Sequence, residues 1–298
     1  MGNIGNSNTI SRAYLDSLLI ETRYLNSTFP DTTFHLYGET FSSPVMTGAL
    51  SHLDHFMFPG AGEAYVKGAA LAGAVFWIGM TENDEEMEMY ASSGARVIEI
   101  IKPYADRERI FEKLRRAEKL GHLAVGIDID HPFGEDGSPD VVDGLEMAPI
   151  TTKELTDIVQ ATKLPLILKG VLSEADAQIA LSAGCQGIML SHHNNRISYA
   201  VPPLYLLPRI RQITAGRIPI FVDCEIRTGM DAFKALCLGA DAVGIGRPLM
   251  NAIKENGADG VRDYLKKAND ELRKAMAYTG CTDLGKMDPT VIHRRDFW

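Results

Sequence analysis

Residues 218–248 read IPIFVDCEIRTGMDAFKALCLGADAVGIGRP. The run from Ile218 to Val222 is apolar and stops at Asp223, a helical pattern from Met230 to Leu238 closes at Gly239, and a second apolar run ends in Gly244, Gly246 and Arg247. This is a β-α-β unit, because parallel strands buried on both faces read as continuous apolar runs joined by a helical crossover. Each strand ends in an arginine near a glycine, Arg227 with Gly229 and Arg247 with Gly246, where the backbone can come close to a ligand. Guanidinium forks and the free N–H groups of a helix start form an anion site suited to phosphate. The last two strands of a (β/α)8 barrel often carry such a site. One arginine of this kind reads as a solvated surface turn; two at successive strand ends favour phosphate.

The same alternation runs outward along the chain. Strand-like runs recur at 44–49, 75–78, 97–101, 123–127, 166–168, 187–190, 218–222 and 242–245. Helical patterns lie between them at 61–71, 84–92, 106–120, 153–161, 174–183, 204–213 and 230–238. Strands alternating with helices predict a parallel sheet, and about eight right-handed units close naturally into an α/β TIM barrel. The rival, a doubly wound sheet, would carry a glycine fingerprint after its first strand, and Met46-Thr47-Gly48-Ala49 is not one. A last helical region, 258–279, is expected to pack outside. Residues 1–43 read as an irregular lead-in, helical around 11–24 and then rich in Pro, Thr and Gly, expected to cover one end of the barrel. No linker divides the chain, so residues 1–298 are expected to form a single domain.

Hydrophobic residues at 45% and charged residues at 23% supply an ordinary globular core. A net charge of -9 argues against a nucleic-acid or anionic-membrane surface. Cys185, Cys224, Cys237 and Cys281 show no C-x-x-C spacing, which predicts buried thiols in a reducing compartment and no metal framework. The polar N-terminus has no apolar signal core, no myristoylation pattern, and no apolar run reaches membrane-spanning length. A cytoplasmic protein is expected.

Polar residues gather where the strand runs stop. Asp128 and Asp130 follow the fourth, Lys169 ends the fifth, Ser191-His192-His193-Asn194-Asn195-Arg196 follow the sixth, and Asp223 ends the seventh. In a barrel these positions converge on the C-terminal face. A histidine there can act as general base, a carboxylate can fix its tautomer, and an arginine can clamp an anion with two hydrogen bonds. A lone His or Lys at such a place reads as a surface residue or an ion pair; the set beside a phosphate site favours catalysis. Neighbours on a strand point to opposite sides, so His192 and His193 cannot both face a ligand. The connection DIDHPFGEDGSPDVVDGLEMAPI, 128–150, is rich in Asp, Gly and Pro, as a loop over an active site would be.

The segments LPLILKGVLSEADAQIALSAGCQGIMLSHHNNR, PPLYLLPRI and IPIFVDCEIRTGMDAFKALCLGADAVGIGRP, in that order, resemble the C-terminal half of the FMN-dependent α-hydroxy-acid oxidases and dehydrogenases, typified by glycolate and lactate oxidases. The match covers about 165–250 and extends weakly over 21–49 and 124–128. It implies a (β/α)8 barrel that binds FMN and oxidises a small-molecule hydroxy substrate, in a homo-oligomer, a tetramer in this family. The electron acceptor stays open between oxygen and a redox partner. Lys169 would lie near the flavin pyrimidine edge, Ser191 at the flavin or ribityl chain, Asp223 at the ribityl hydroxyls, and Arg227, Gly246 and Arg247 at the phosphate. The backbone of Ala49, Leu50 and Ser51 would lie against the isoalloxazine. His193 would be the base, Asp128 its orienting carboxylate and Arg196 the clamp on the substrate carboxylate.

Several positions depart from the family pattern. Asn194 and Asn195 replace two small residues, and Asp-Gly-Gly-x-Arg becomes Asp223-Cys224-Glu225-Ile226-Arg227. A carboxylate at Glu225 would repel phosphate unless it turned away. Glu99 stands for a glutamine expected near the flavin edge, Tyr104 is an imperfectly spaced candidate for an active-site tyrosine, and the family's N-terminal active-site tyrosine has no counterpart in the short lead-in. His131-Pro132-Phe133-Gly134 supplies no second substrate arginine. These departures predict a substrate larger or less anionic than glycolate or lactate. Two other functions fit: an aldolase or isomerase of a phosphorylated substrate using Lys169 as nucleophile or base, and a flavin-binding protein without hydroxy-acid activity.

Overall fold

The computed structural model describes residues 4–295. Eight parallel strands form its centre: β1 (Val45–Thr47), β2 (Phe76–Ile78), β3 (Val97–Ile101), β4 (Ala124–Asp128), β5 (Leu166–Val171), β6 (Gly187–Leu190), β7 (Ile220–Val222) and β8 (Ala242–Ile245). They pair in chain order from β2 to β8, and β8 returns onto β1. The seam between β1 and β2 is closed by fewer bonds, among them Gly79 N to Leu50 O at 3.0 Å and Thr47 N to Val75 O at 3.2 Å. The TIM barrel expected from the alternation is therefore the fold, with strand bounds within a few residues of the sequence reading.

Strand geometry decides what each side chain meets, because successive residues point to opposite faces. Ile98 and Ile100 of β3, Ala124 of β4, Ile167 of β5, Met189 of β6, Phe221 of β7 and Ala242 of β8 fill the barrel interior together with Trp77 and Met46. The intervening residues, such as Val97, Ile101, Val125, Ile127 and Leu168, pack outward into the helix layer. The interior is dense: Trp77 and Phe221 meet edge to face at 5.2 Å between centroids.

The lead-in differs from its sequence reading. Its helix spans Ser7–Ser17 and stops short of Tyr24, and the chain then enters a strand, Leu18–Ile20, paired antiparallel with Ile292–Arg294. Within the segment read as irregular, Phe34–Leu36 and Glu39–Phe41 form a hairpin whose Phe34, Leu36 and Phe41 join the barrel interior. The hairpin stops the N-terminal end; the helix goes to the opposite end, where the site lies. The last helix runs Arg247–Thr279 with non-helical φ/ψ at Asn256 and Gly257, so the 258–279 helix is its second limb. Gly229, expected beside a ligand, instead opens a helix against this limb: a Cβ there would lie 2.0 Å from the Ala268 carbonyl oxygen.

Candidate active site at the C-terminal end of the barrel

Two residues beyond these interior apolar positions, or four in β4, the same inward rows carry Lys102, Asp128, Lys169, Ser191, Asp223 and Gly244. Lys102, Lys169, Asp223 and Gly244 line a cavity of about 730 Å³, a size typical of cofactor and substrate sites. The row explains two differences from the sequence reading. Glu99 lies one residue off it, so it points into the helix layer, where it binds Arg116 and is 2% exposed; it is not at the cofactor edge. Lys102, which the sequence reading missed, is on the row and in the cavity. The signal was available, since Ile98, Ile100 and Lys102 share one strand face.

Asp128 is 2% exposed and bridges two lysines, Lys102 Nζ at 2.6 Å and Lys169 Nζ at 2.8 Å. Burial alone would raise its pKa, but the two lysine charges outweigh burial and hold it well below the usual carboxylate range. Burial works to lower the pKa of Lys169; Asp128, Asp130 and Asp223 reverse that and hold it charged. Lys169 reaches this point through an irregularity in β5, where the pairing with β6 shifts between Lys169 and Val171. Gly170 makes the shift feasible: its φ is +92°, and a Cβ there would lie 2.5 Å from Asp130 Cγ.

His193 enters the cavity from a turn, not from a strand. His193, Asn194 and Asn195 have φ of 47°, 54° and 70°, a left-handed run that asparagine tolerates best among residues with a side chain. The asparagines also anchor the turn to the N-terminal helix: Ser7 N donates to Asn195 Oδ1 at 2.6 Å and Asn8 Nδ2 to Asn194 Oδ1 at 2.8 Å. His192 is buried beneath the turn, its Nε2 2.9 Å from Ser11 Oγ. Ser191 Oγ accepts from His193 N at 3.1 Å, so it supports the turn and is absent from the cavity wall. Separation of the two histidines thus stands on turn geometry, and the strand-alternation argument does not apply.

Asp130, not Asp128, is the nearer carboxylate to His193: Nδ1 lies 2.9 Å from Asp130 and 3.6 Å from Asp128. Burial and Lys169 lower the histidine's pKa, yet the two carboxylates prevail and raise it above the ordinary value. His131 stands edge-on to His193, 4.7 Å between ring centroids. Burial, with Lys102, His193 and Arg196 nearby, lowers the His131 pKa to about 4 and keeps it neutral. Arg196 does not face the cavity. It is tied to Asp140, 2.5 Å away, and to the Phe133 carbonyl, and so fastens the 129–146 loop. Tyr104 is also elsewhere, donating to Glu82 at 2.7 Å.

Opposite this cluster, Ala49, Leu50, Ser51, Asp223, Arg227, Gly246 and Arg247 lie along the cavity wall. Gly48 and Gly246 let the ends of β1 and β8 meet: a Cβ on Gly48 would lie 2.7 Å from Gly246 Cα. An open backbone ledge, a carboxylate for hydroxyl groups and two arginines at the far end fit a flavin carrying a ribityl phosphate. Glu225 is the one discordant group, and it has not turned away: it binds both Arg227 and Arg247.

The profile of the FMN-dependent dehydrogenases matches residues 3–151 and 135–294. Glycolate oxidase 1 of Oryza sativa subsp. indica is 28% identical over 290 residues, covering 85% of this chain and 78% of its own. L-lactate oxidase of Roseobacter sp. (strain GAI101) is 37% identical over 162 residues, 54% of this chain and 44% of its own. Among solved structures, mandelate oxidase with (S)-2-phenylpropionate superposes with a TM-score of 0.87 at 28% identity, covering 98% of this chain and 90% of that one. A mandelate oxidase variant with a monooxide FMN adduct gives the same TM-score, 0.87, at 28% identity over 98% of this chain and 92% of that one. Barrel, cavity and sequence agree, and the chain belongs to the FMN-dependent dehydrogenase family, as an FMN-dependent oxidoreductase acting on CH–OH groups.

Proposed function

We propose that the chain oxidises a 2-hydroxy acid with a bulky or weakly anionic body to the 2-oxo acid, with His193 as the base. The observation that carries this reading is the His193 Nδ1 contact to Asp130 at 2.9 Å inside the cavity. That bond holds the ring and leaves Nε2 to accept a proton from the substrate's hydroxy carbon centre. FMN, when bound, supplies the two-electron acceptor. Lys169, fixed by Asp128, presents a permanent positive charge to the same space. Lys102 Nζ meets Asp128 at 2.6 Å and lines the same cavity, where its ammonium can also meet a substrate carboxylate. Lys102 therefore replaces Arg196 as the anion contact in this reading. Leu50, Phe56, Met80 and Val142 line the cavity and favour an apolar substrate body. The aldolase reading is disfavoured because a nucleophilic lysine must lose its proton, whereas Lys169 is held charged by three carboxylates. Four unpaired cysteines support a reducing compartment, in this reading the cytoplasm.

The test is anaerobic bleaching of the purified yellow protein by a panel running from glycolate and L-lactate to aromatic 2-hydroxy acids. Faster, saturable bleaching by the bulky members is expected. Bleaching by none of them leaves a flavin-binding protein without this activity, and preference for glycolate overturns the assignment of the cavity walls.

A further inference from the structure

On the function proposed above, the anionic end of the cofactor lies at Arg227 and Arg247. Both guanidinium groups already hold a carboxylate. Each terminal Nη2 binds one oxygen of Glu225, whose side chain is 1% exposed beneath arginines that are 52% and 49% exposed. One carboxylate spanning two guanidinium groups repeats, with a single charge, the contact that two oxygens of a phosphate would make. The loop is braced in this position. Arg12 Nη1 donates to the Glu225 carbonyl at 3.1 Å, and Arg12 Nη2 pairs with Asp231 at 2.8 Å. Asp231 in turn accepts from Arg227 N at 3.1 Å. Cys224 and Glu225 both take positive φ, 63° and 67°, a conformation that strains a residue with a Cβ.

Arg12 and Asp231 cancel, and Arg227 and Arg247 face the cavity with Glu225 subtracting one charge from two. A phosphate monoester brings roughly 1.5 to 2 negative charges at neutral pH. We propose that Glu225 is a built-in counter-anion that removes most of the phosphate's contribution to flavin binding. The pocket then takes a flavin with a neutral ribityl end nearly as well as one with a phosphate. Riboflavin, which shares the ring and ribityl chain of FMN, becomes a ligand of comparable affinity.

The test uses protein stripped of flavin, with FMN and riboflavin rebinding followed by quenching of flavin fluorescence. Wild type, Glu225→Gln and Glu225→Gly are compared through the ratio of the two affinities. Wild type should favour FMN by no more than about tenfold, and both variants should raise that ratio by about ten- to a hundredfold, the span of one charge-assisted hydrogen bond. A folding defect weakens both flavins and leaves the ratio in place. A wild-type preference for FMN above that tenfold bound overturns the role of Glu225 while the flavin reading stands. A ratio that neither variant raises does the same. Failure of all three proteins to quench either flavin overturns the flavin reading and the role of Glu225 with it.

Discussion

The arginine end of the cavity and the lysine end handle charge in opposite ways. Beyond β7 and β8, Arg227 and Arg247 are half exposed at the rim and enclose one buried carboxylate. At the ends of β3, β4 and β5, the side chains of Lys102, Asp128 and Lys169 are 7%, 2% and 4% exposed, and both lysines bind Asp128. A rim arginine can exchange partners at small cost because water takes up what the ligand leaves. A buried triad cannot, because removing its shared carboxylate leaves buried lysine charges unpaired, at a cost of about 3–5 kcal/mol. The arginine end is therefore the adjustable half of this site, and the lysine end is the rigid one.

The largest effect expected separates the two halves outright. His193→Gln should lower the rate of flavin reduction by substrate by roughly 10²- to 10⁴-fold, the usual contribution of a general base, while flavin stays bound. Anaerobic stopped-flow bleaching and the visible spectrum read the two quantities from one sample. Bleaching at the wild-type rate would place the base elsewhere.

The next sharpens the lysine end. Lys102→Met should reduce kcat/KM for a 2-hydroxy acid by about ten- to a hundredfold, the worth of a charged hydrogen bond, whereas Arg196→Leu should change it by less than about threefold, as for a surface ion pair. The opposite order would return the clamp to Arg196 and require the 129–146 loop to release it from Asp140 in the complex.

The smallest expected effect is on pH. His193 must be neutral to accept a proton, so kcat/KM should rise with pH through its raised pKa. Asp130→Asn removes one of the carboxylates responsible and should move that midpoint to lower pH. The stability sign follows from the same shift: a raised folded value means that the Asp130 pair stabilises fully below the unfolded histidine value of about 6.5, and the contribution fades as pH climbs through the folded value. The difference in melting temperature between wild type and Asp130→Asn should therefore shrink with rising pH. An unchanged midpoint would mean that Asp128 alone sets the histidine.

Much of the fold was legible for a physical reason. Buried parallel strands must be apolar throughout, so the eight runs, the helices between them and the barrel could be counted from the sequence, and polar residues at run ends marked the face that holds the cavity. The lead-in was less legible. Its helix hangs on Ser7, Ser11 and Arg12, which bond to partners 190, 181 and 219 positions away, and no local pattern encodes those contacts. The hairpin at Phe34–Leu36 and Glu39–Phe41 was missed because two three-residue strands carry too little periodicity to read.

The sequence by itself determined which residues stand at strand ends, and through its ordered motifs, the family and the cofactor. Tertiary structure alone decided their partners. A one-residue offset on β3 sent Glu99 outward and Lys102 into the cavity, because strand faces alternate. A left-handed turn separated His192 from His193, and packing of the 129–146 loop gave Arg196 to Asp140 and His193 to Asp130. Those choices depend on distances between segments far apart in the chain, set only when the barrel closes and charges deprived of water must find one another.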